Sequence, residues 1–269
     1  MKQTKIIPFT KMHGLGNDFM IVLASDLPCS PQQLPIQQWA NRHLGIGFDQ
    51  LLLVQPLDEA GFYCQIFNAD GSEAEQCGNG LRCVAQYVYD RGLIKQRSFP
   101  LATRAGVFPV TIQENNRISV ALGVPQLQEQ RVAIREITLS VLRLGNPHAI
   151  VNITDLPNAV HLSAILVDVL GQHIAAHDHF PEGVNVGFVH VIDRTHIQLR
   201  TYERGSGETN ACGSNACAAV AVGISNGWLD TCVTVELRYG ELTIEWPSVN
   251  HAIVMTGPAT QVFRGEVVL

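Results

Sequence analysis

The stretch GSEAEQCGNGLRCVA at residues 71–85 recurs, in altered form, as SGETNACGSNACAA at residues 206–219. In each copy a Glu stands four residues before a cysteine, Glu73 before Cys77 and Glu208 before Cys212. Gly78 and Asn79 follow the first cysteine, Gly213 and Ser214 the second, and an apolar helical segment then begins. A thiol just ahead of a helix start meets unpaired backbone N–H groups and the positive end of the helix dipole. Both favour thiolate over thiol, so the spacing predicts two poised cysteines, one in each half of the chain. The repeat predicts a pseudo-duplicated protein.

The flanking sequence supports duplication. Before the first loop, strands are predicted near 5–10, 19–23, 51–54 and 62–67, with a helix over 36–43. After Cys77, Leu81, Val84, Ala85 and Val88 share one helical face, and Gly92 ends the helix. A hairpin over 107–112 and 118–122 follows. Gly123-Val124-Pro125 marks a crossing, and the order restarts with strands at 137–144, 149–153, 186–191 and 197–202. A helix is predicted over 162–177, and a second, apolar on every face, over 216–224. The segment 231–246 alternates as a hairpin, and a last strand over 262–269 returns to the first half. The fold class is therefore α+β, with two pseudo-symmetric halves, each a curved, mostly antiparallel sheet wrapped around a central helix. The expected boundaries are 1–121 with 259–269 for one half and 122–258 for the other.

Composition bounds the function. The chain has 269 residues, is 46% apolar and 16% charged, and carries a net charge of −6. That supports a substantial core and argues against a nucleic-acid surface. No run reaches the roughly 18 apolar residues of a membrane span, and the N-terminus does not read as a signal peptide. A cytoplasmic protein is expected, its seven cysteines reduced.

Two activated cysteines suit one task. A thiolate on one side of a substrate carbon removes a proton, a thiol on the other side delivers one, and the centre inverts. The proton beside an amino-acid carboxylate is weakly acidic, so the developing charge needs donors such as helix N-termini. Pyridoxal phosphate is the usual aid, but it needs a lysine. Only Lys2, Lys5, Lys11 and Lys95 exist, none in a promising loop, so no cofactor is expected.

Other readings compete. Cys29, Cys64, Cys83, Cys217 and Cys232 are read as small core residues. A zinc site from Cys77, Cys83, Cys212 and Cys217 has five and four intervening residues, poor against the usual two to four. His173, His177 and His179 lack the Glu of a metalloprotease pattern, and no metal is expected. The Gly14-Leu15-Gly16 turn has neither the helix nor the lysine of a phosphate loop; Asn17 there is read instead as aiming its amide into a pocket. His148 sits in a Gly-Asn-Pro loop that can aim a side chain, and Arg204 beside Glu203 suits a carboxylate clamp.

Six blocks, FTKMHGLGNDF (9–19), GFDQ (47–50), FNADGSEAEQCGNGLRC (67–83), GNPHA (145–149), FPEGVNVGF (180–188) and ERGSGETNACGSNACAA (203–219), together resemble the bacterial diaminopimelate epimerases. The resemblance covers nearly the whole chain. It implies a cofactor-independent epimerase interconverting L,L- and meso-diaminopimelate, on the route to lysine and peptidoglycan, with its site at the interface of the two halves. By similarity Cys77 and Cys212 are the acid–base pair, and Glu203 and His148 orient and polarise thiols and substrate. Gly78, Asn79, Gly213 and Ser214 would hold the reacting carboxylate. Asn17, Gln50, Asn68, Asn146, Asn185 and Arg204 would bind the rest of the substrate. A homodimer is implied. One departure stands out, Asn215 where the family usually has Gly, and it is read as a helix cap. The alternative is another cofactor-free amino-acid racemase, such as a proline or hydroxyproline epimerase. Proteins of that kind share the two-cysteine architecture but not this set of blocks. From a different class, a zinc or redox protein would use the cysteines without catalysing inversion.

Overall fold

In the computed structural model, which describes residues 5–57, 61–128, 131–156 and 161–269, both cysteine loops run directly into helices. Four helices are labelled in order: α1 (Ile36–Ala40), α2 (Gly78–Asp90), α3 (Val167–Ala175) and α4 (Gly213–Ser225). The chain divides into two compact units, residues 1–120 with 258–269, and residues 121–257.

In the first unit, strand Ile6–Gly14 pairs antiparallel with Asn17–Leu23, which runs parallel to Gln50–Pro56. That strand pairs antiparallel with Phe62–Asn68, and Phe62–Asn68 is parallel to Ser98–Thr103. Antiparallel strands Gly106–Ile112 and Ile118–Ala121 continue the sheet, and Thr260–Val268 lies antiparallel to Ile6–Gly14. Continuous apolar runs belong in such central strands, where both faces are covered. Met20, Ile21 and Val22 are fully buried, as are Leu51 and Leu52. Helix α2 packs on this sheet through its buried residues Leu81, Val84, Ala85 and Val88.

The second unit repeats the pattern. Ile137–Leu144 pairs antiparallel with Asn146–Asn152, which is parallel to Asn185–Asp193. His196–Glu203 is antiparallel to Asn185–Asp193 and parallel to Cys232–Leu237, and Gly240–Glu245 and Val254–Gly257 follow antiparallel. In both units the strand before the cysteine loop pairs with a short strand inside it, Glu73–Ala74 or Gly207–Thr209. Helix α4 is buried from Ala216 to Gly223, the environment its all-round apolar sequence predicts. Each fully buried valine there, Val220 and Val222, contributes about 1.5–3 kcal/mol. Among the described residues no helix is long and apolar enough to cross a membrane.

Several local expectations change. The turn at 13–18 contracts to Leu15-Gly16, both with positive φ (56° and 89°), so Asn17 opens a strand. Helix α1 stops at Ala40 because Asn41 Oδ1 accepts the N–H groups of His43 and Leu44, bending the chain away. The helix predicted over 162–177 is split into a 3-10 turn at Leu162–Ala164 and α3. Arg200 explains the break, since its Nη1 donates to the carbonyls of Leu162 and Ile165, both at 2.9 Å. Helix α4 begins three residues earlier than predicted, directly after Cys212. Strand Ser98–Thr103 escaped the sequence reading, because two of its residues, Pro100 and Ala102, are poor strand formers. Cys64, Cys83 and Cys217 are core residues, but Cys29 is half-buried and Cys232 exposed. Cys232 opens a strand with its sulfur 3.8 Å from the Glu245 carboxylate on the solvent face.

Candidate active site

Both cysteines occupy the residue that caps a helix. Cys77 (φ −149°, ψ 106°) and Cys212 (φ −112°, ψ 107°) are extended, and Gly78 and Gly213 are the first helical residues. The backbone N–H of Gly80 points at the Cys77 sulfur at 3.4 Å, one of the donors a helix start leaves unpaired. A Cβ at Gly80 would press on Leu52 Cδ1 at 3.3 Å and reach only ordinary contact with the sulfur at 3.5 Å. Ser214 Oγ lies 3.5 Å from the Cys212 sulfur.

The two thiols differ in environment. Burial, and then the Glu203 carboxylate beside it, push the Cys212 thiol well above its ordinary value, against the Ser214 hydroxyl. The thiolate expected from the helix position is therefore overturned at Cys212. Desolvation at 6% exposure and a neighbouring negative charge outweigh a terminal dipole. Cys212 rests as a thiol. Glu203, which ends its strand, also accepts a hydrogen bond from Thr209 Oγ1 at 2.6 Å.

Strand ends position the amides. Asn17 and Asn146 each open the second strand of a hairpin, and Gln50 and Asn185 each open the parallel neighbour. Asn68 and Glu203 close the strands before the two cysteine loops. Asn17 Oδ1 lies 3.6 Å from the Cys77 sulfur and accepts from Asn79 Nδ2 at 3.3 Å. Gln50 Nε2 donates to Asn68 Oδ1 at 2.9 Å, and Asn68 donates to Ser72 Oγ at 3.0 Å. Gln50 Oε1 is buried with no hydrogen-bond partner among the described residues, an acceptor held without a donor.

In the second unit Asn185 Oδ1 accepts the backbone N–H of Arg204 at 2.9 Å. The Arg204 side chain is exposed and donates to the Glu182 carbonyl. Gly183, at φ +71°, is required beneath it, since a Cβ would come within 2.7 Å of Arg204 Cδ. His148 is fully buried, its Nε2 2.9 Å from Asn146 Oδ1 and its Nδ1 3.2 Å from Asn215 Oδ1. Burial lowers its pKa to about 4 against the opposing effect of Asn215. It is a neutral imidazole at neutral pH.

Three features escaped the sequence. Asp49 Oδ2 accepts from Asn17 Nδ2 at 2.9 Å and from the Asp18 N–H at 3.1 Å, fixing the Asn17 amide. Burial alone would raise the Asp18 carboxyl, but Arg42 and Lys11 hold it down to about 2. Asp49 lies inside the GFDQ block beside Gln50, the one signal that could have found it. Asn215, expected as a cap, is instead the third residue of α4, with its amide 3.0 Å from Thr201 Oγ1 and next to His148. Capping falls to Cys212, so the Asn215 side chain is free to bridge inward. Finally, the repeated glutamates are structural. Arg200 grips Glu208 with two bonds of 2.8 Å, and Glu73, exposed, accepts from Gln65 at 3.2 Å.

A family model described as diaminopimelate epimerase matches residues 9–128 and 140–262. The diaminopimelate epimerase of Nitrosomonas europaea is 44% identical over 277 residues, covering 97% of this chain and 98% of that protein. That of Pseudomonas syringae pv. tomato is 42% identical, covering 97% and 99%. Among solved structures, a hydroxyproline epimerase from Agrobacterium vitis superposes with a TM-score of 0.74 at 15% identity, covering 100% of this chain and 93% of that one. A phenazine biosynthesis protein of Bacillus anthracis gives 0.69 at 18% identity, covering 98% and 100%. These structural likenesses show a shared fold.

Proposed function

The chain belongs to the diaminopimelate epimerase family, and from that premise we propose that it interconverts L,L- and meso-diaminopimelate for lysine and peptidoglycan synthesis. One observation carries the chemistry: a cysteine caps a helix in each unit, with glycine as the first helical residue.

The two sulfurs act in turn on the α-carbon. The thiolate of one cysteine takes the α-proton, breaking the C–H bond and leaving the electron pair on carbon and its carboxylate. The helix-start N–H groups after Gly78 and Gly213 stabilise that carboxylate, a donor arrangement in which each bond contributes about 3–4 kcal/mol. The thiol of the other cysteine then gives its proton to the opposite face. The two cysteines finish with exchanged protonation states, and no cofactor takes part. Cys212, a thiol at rest, is the acid of the substrate-free protein; after one turnover it is the thiolate and serves as the base of the reverse direction, and Glu203 beside it orients its sulfur. Neutral His148, through Asn146, orients substrate instead of acting as a base. Asn17 and Ser214 border the two sulfurs, and Asn79 donates to Asn17. Gln50, Asn68, Asn146, Asn185 and Arg204 hold the distal amino-acid end, a set suited to a substrate with two carboxylates.

We further infer a cytoplasmic homodimer. Seven cysteines, with no disulfide among the described residues, suit a reducing compartment. Strand Thr260–Val268 pairs with Ile6–Gly14 and leaves Val262, Phe263 and Val268 exposed, an apolar edge suited to a second copy.

Single Cys77→Ala and Cys212→Ala variants test the reading. Each is expected to lose epimerisation by at least about a thousandfold while remaining folded. Either variant retaining wild-type turnover would sink it.

A further inference from the structure

The register of the two units places unlike residues at like positions. Phe19 stands opposite Gln50 in the first unit, and His148 opposite Asn185 in the second. Leu52 pairs with Ile66, and Gly187 with Thr201. Gly80 and Asn215 are the third residues of α2 and α4. An apolar set is thus replaced by His148, Gly187, Thr201 and Asn215. The replacement is coordinated: a Cβ at Gly187 would meet Ile150 Cδ1 at 2.9 Å and crowd Asn215 at 3.1–3.2 Å, whereas one at Gly80 would come 3.3 Å from Leu52. The missing side chain at 187 makes room for the amide at 215.

That amide completes a buried chain. Asn215 Nδ2 lies 3.0 Å from Thr201 Oγ1, Asn215 Oδ1 lies 3.2 Å from His148 Nδ1, and His148 Nε2 lies 2.9 Å from Asn146 Oδ1. Both ring nitrogens therefore face amide oxygens, but a neutral imidazole has one N–H. The Thr201 hydroxyl, 1% exposed, meets only Asn215 among the described residues, and its proton needs an acceptor. A half-turn of the Asn215 amide, which preserves its shape, resolves both problems. Thr201 then donates to Asn215 Oδ1, Asn215 Nδ2 donates to His148 Nδ1, and His148 Nε2–H donates to Asn146 Oδ1.

We propose that Asn215 is a positioning residue, fixing His148 as its Nε2–H tautomer so that His148 holds Asn146 by its carbonyl and leaves the Asn146 NH2 to a substrate carboxylate. The last step rests on the reading of Asn146 as a substrate-binding residue.

Histidine-selective 15N labelling of the full chain, without substrate at neutral pH, reads the tautomer, with His148 assigned by loss of its signal in His148→Gln. The wild type is expected to show a proton on Nε2 and none on Nδ1. Asn215→Asp keeps the size but removes the donor, and Thr201→Val removes the head of the chain without adding charge. Both are expected to place a proton on Nδ1. With it, KM for diaminopimelate should rise about tenfold while kcat stays within about twofold, the pattern of lost binding. A wild-type proton on Nδ1 overturns the proposal, as does an unchanged tautomer in Thr201→Val. The spectra need no turnover. A wild type with the Nε2–H tautomer but no epimerase activity would defeat the functional reading and leave the tautomer assignment intact.

Discussion

Asn17 Oδ1 lies 3.6 Å from the Cys77 sulfur while Nδ2 of the same amide lies 2.9 Å from Asp49 Oδ2, so a carboxylate chooses which end of Asn17 the thiol meets. Replacing Asp49 by Ala frees the amide to turn. Steady-state kinetics should show a loss of about tenfold or more in kcat/KM, the scale of one hydrogen bond to a charged group. Unchanged kinetics would mean that Asn17 is held without Asp49.

Glu203 governs the second thiol in the opposite sense to a helix dipole. Burial and then the Glu203 carboxylate raise Cys212, so Glu203→Gln should lower it. The pH midpoint for alkylation of Cys212, followed by peptide mass spectrometry, should move down. Turnover should nevertheless fall, because the carboxylate that orients the Cys212 sulfur is lost. A midpoint that moves up would contradict the electrostatic assignment.

His148 sets an acid limit on stability. Its pKa is lowered by burial from 6.5 to about 4, so the unfolded chain takes up the proton first as pH falls. The stabilisation is present above 6.5 and is lost as pH falls toward 4, on the order of 3 kcal/mol in all. Urea unfolding across that window should show a steep decline that flattens in His148→Gln. A slope unaffected by the substitution would rule His148 out as its source.

Buried Cys83 acts at the other end of the scale. Burial pushes its thiol from 9.0 up to about 12, so the folded state keeps a proton that the unfolded state releases. Stability should fall as pH rises above 9.0 toward 12, and Cys83→Ala should fall less steeply over the same range. Thermal unfolding at stepped alkaline pH measures it.

The repeated Glu208 should prove structural. Its ion pair with Arg200 ties the second cysteine loop to the carbonyls of 162 and 165. Both side chains are about a quarter exposed, so Glu208→Ala should cost only about 1 kcal/mol, with kcat nearly unchanged. A large kcat loss at intact stability would give this glutamate a chemical role.

The cysteine positions were legible because helix starts have a short-range signature, and the alternating strands because period two shows in seven or eight residues. Asp49 was not legible, because its role depends on pairing Asn17–Leu23 with Gln50–Pro56 across 32 residues of chain. Nor was the resting state of Cys212. Its loop announces a helix N-terminus, but the burial and the Glu203 neighbour that outweigh it arise only on folding. Asn215 misled for the same reason: at a helix start the local rule says cap, while the gap left by Gly187 lies on another strand. Ser98–Thr103 was missed because its neighbours, not its own residues, make it a strand.

The most direct test of the central claim is solvent exchange in D2O, with reduced, metal-free protein and L,L-diaminopimelate followed by NMR and mass spectrometry. Two-thiol inversion predicts the meso isomer with one solvent deuterium at the inverted α-carbon, and no exchange in proline run in parallel. Meso product retaining the original α-proton, or no product from folded protein, would contradict the account.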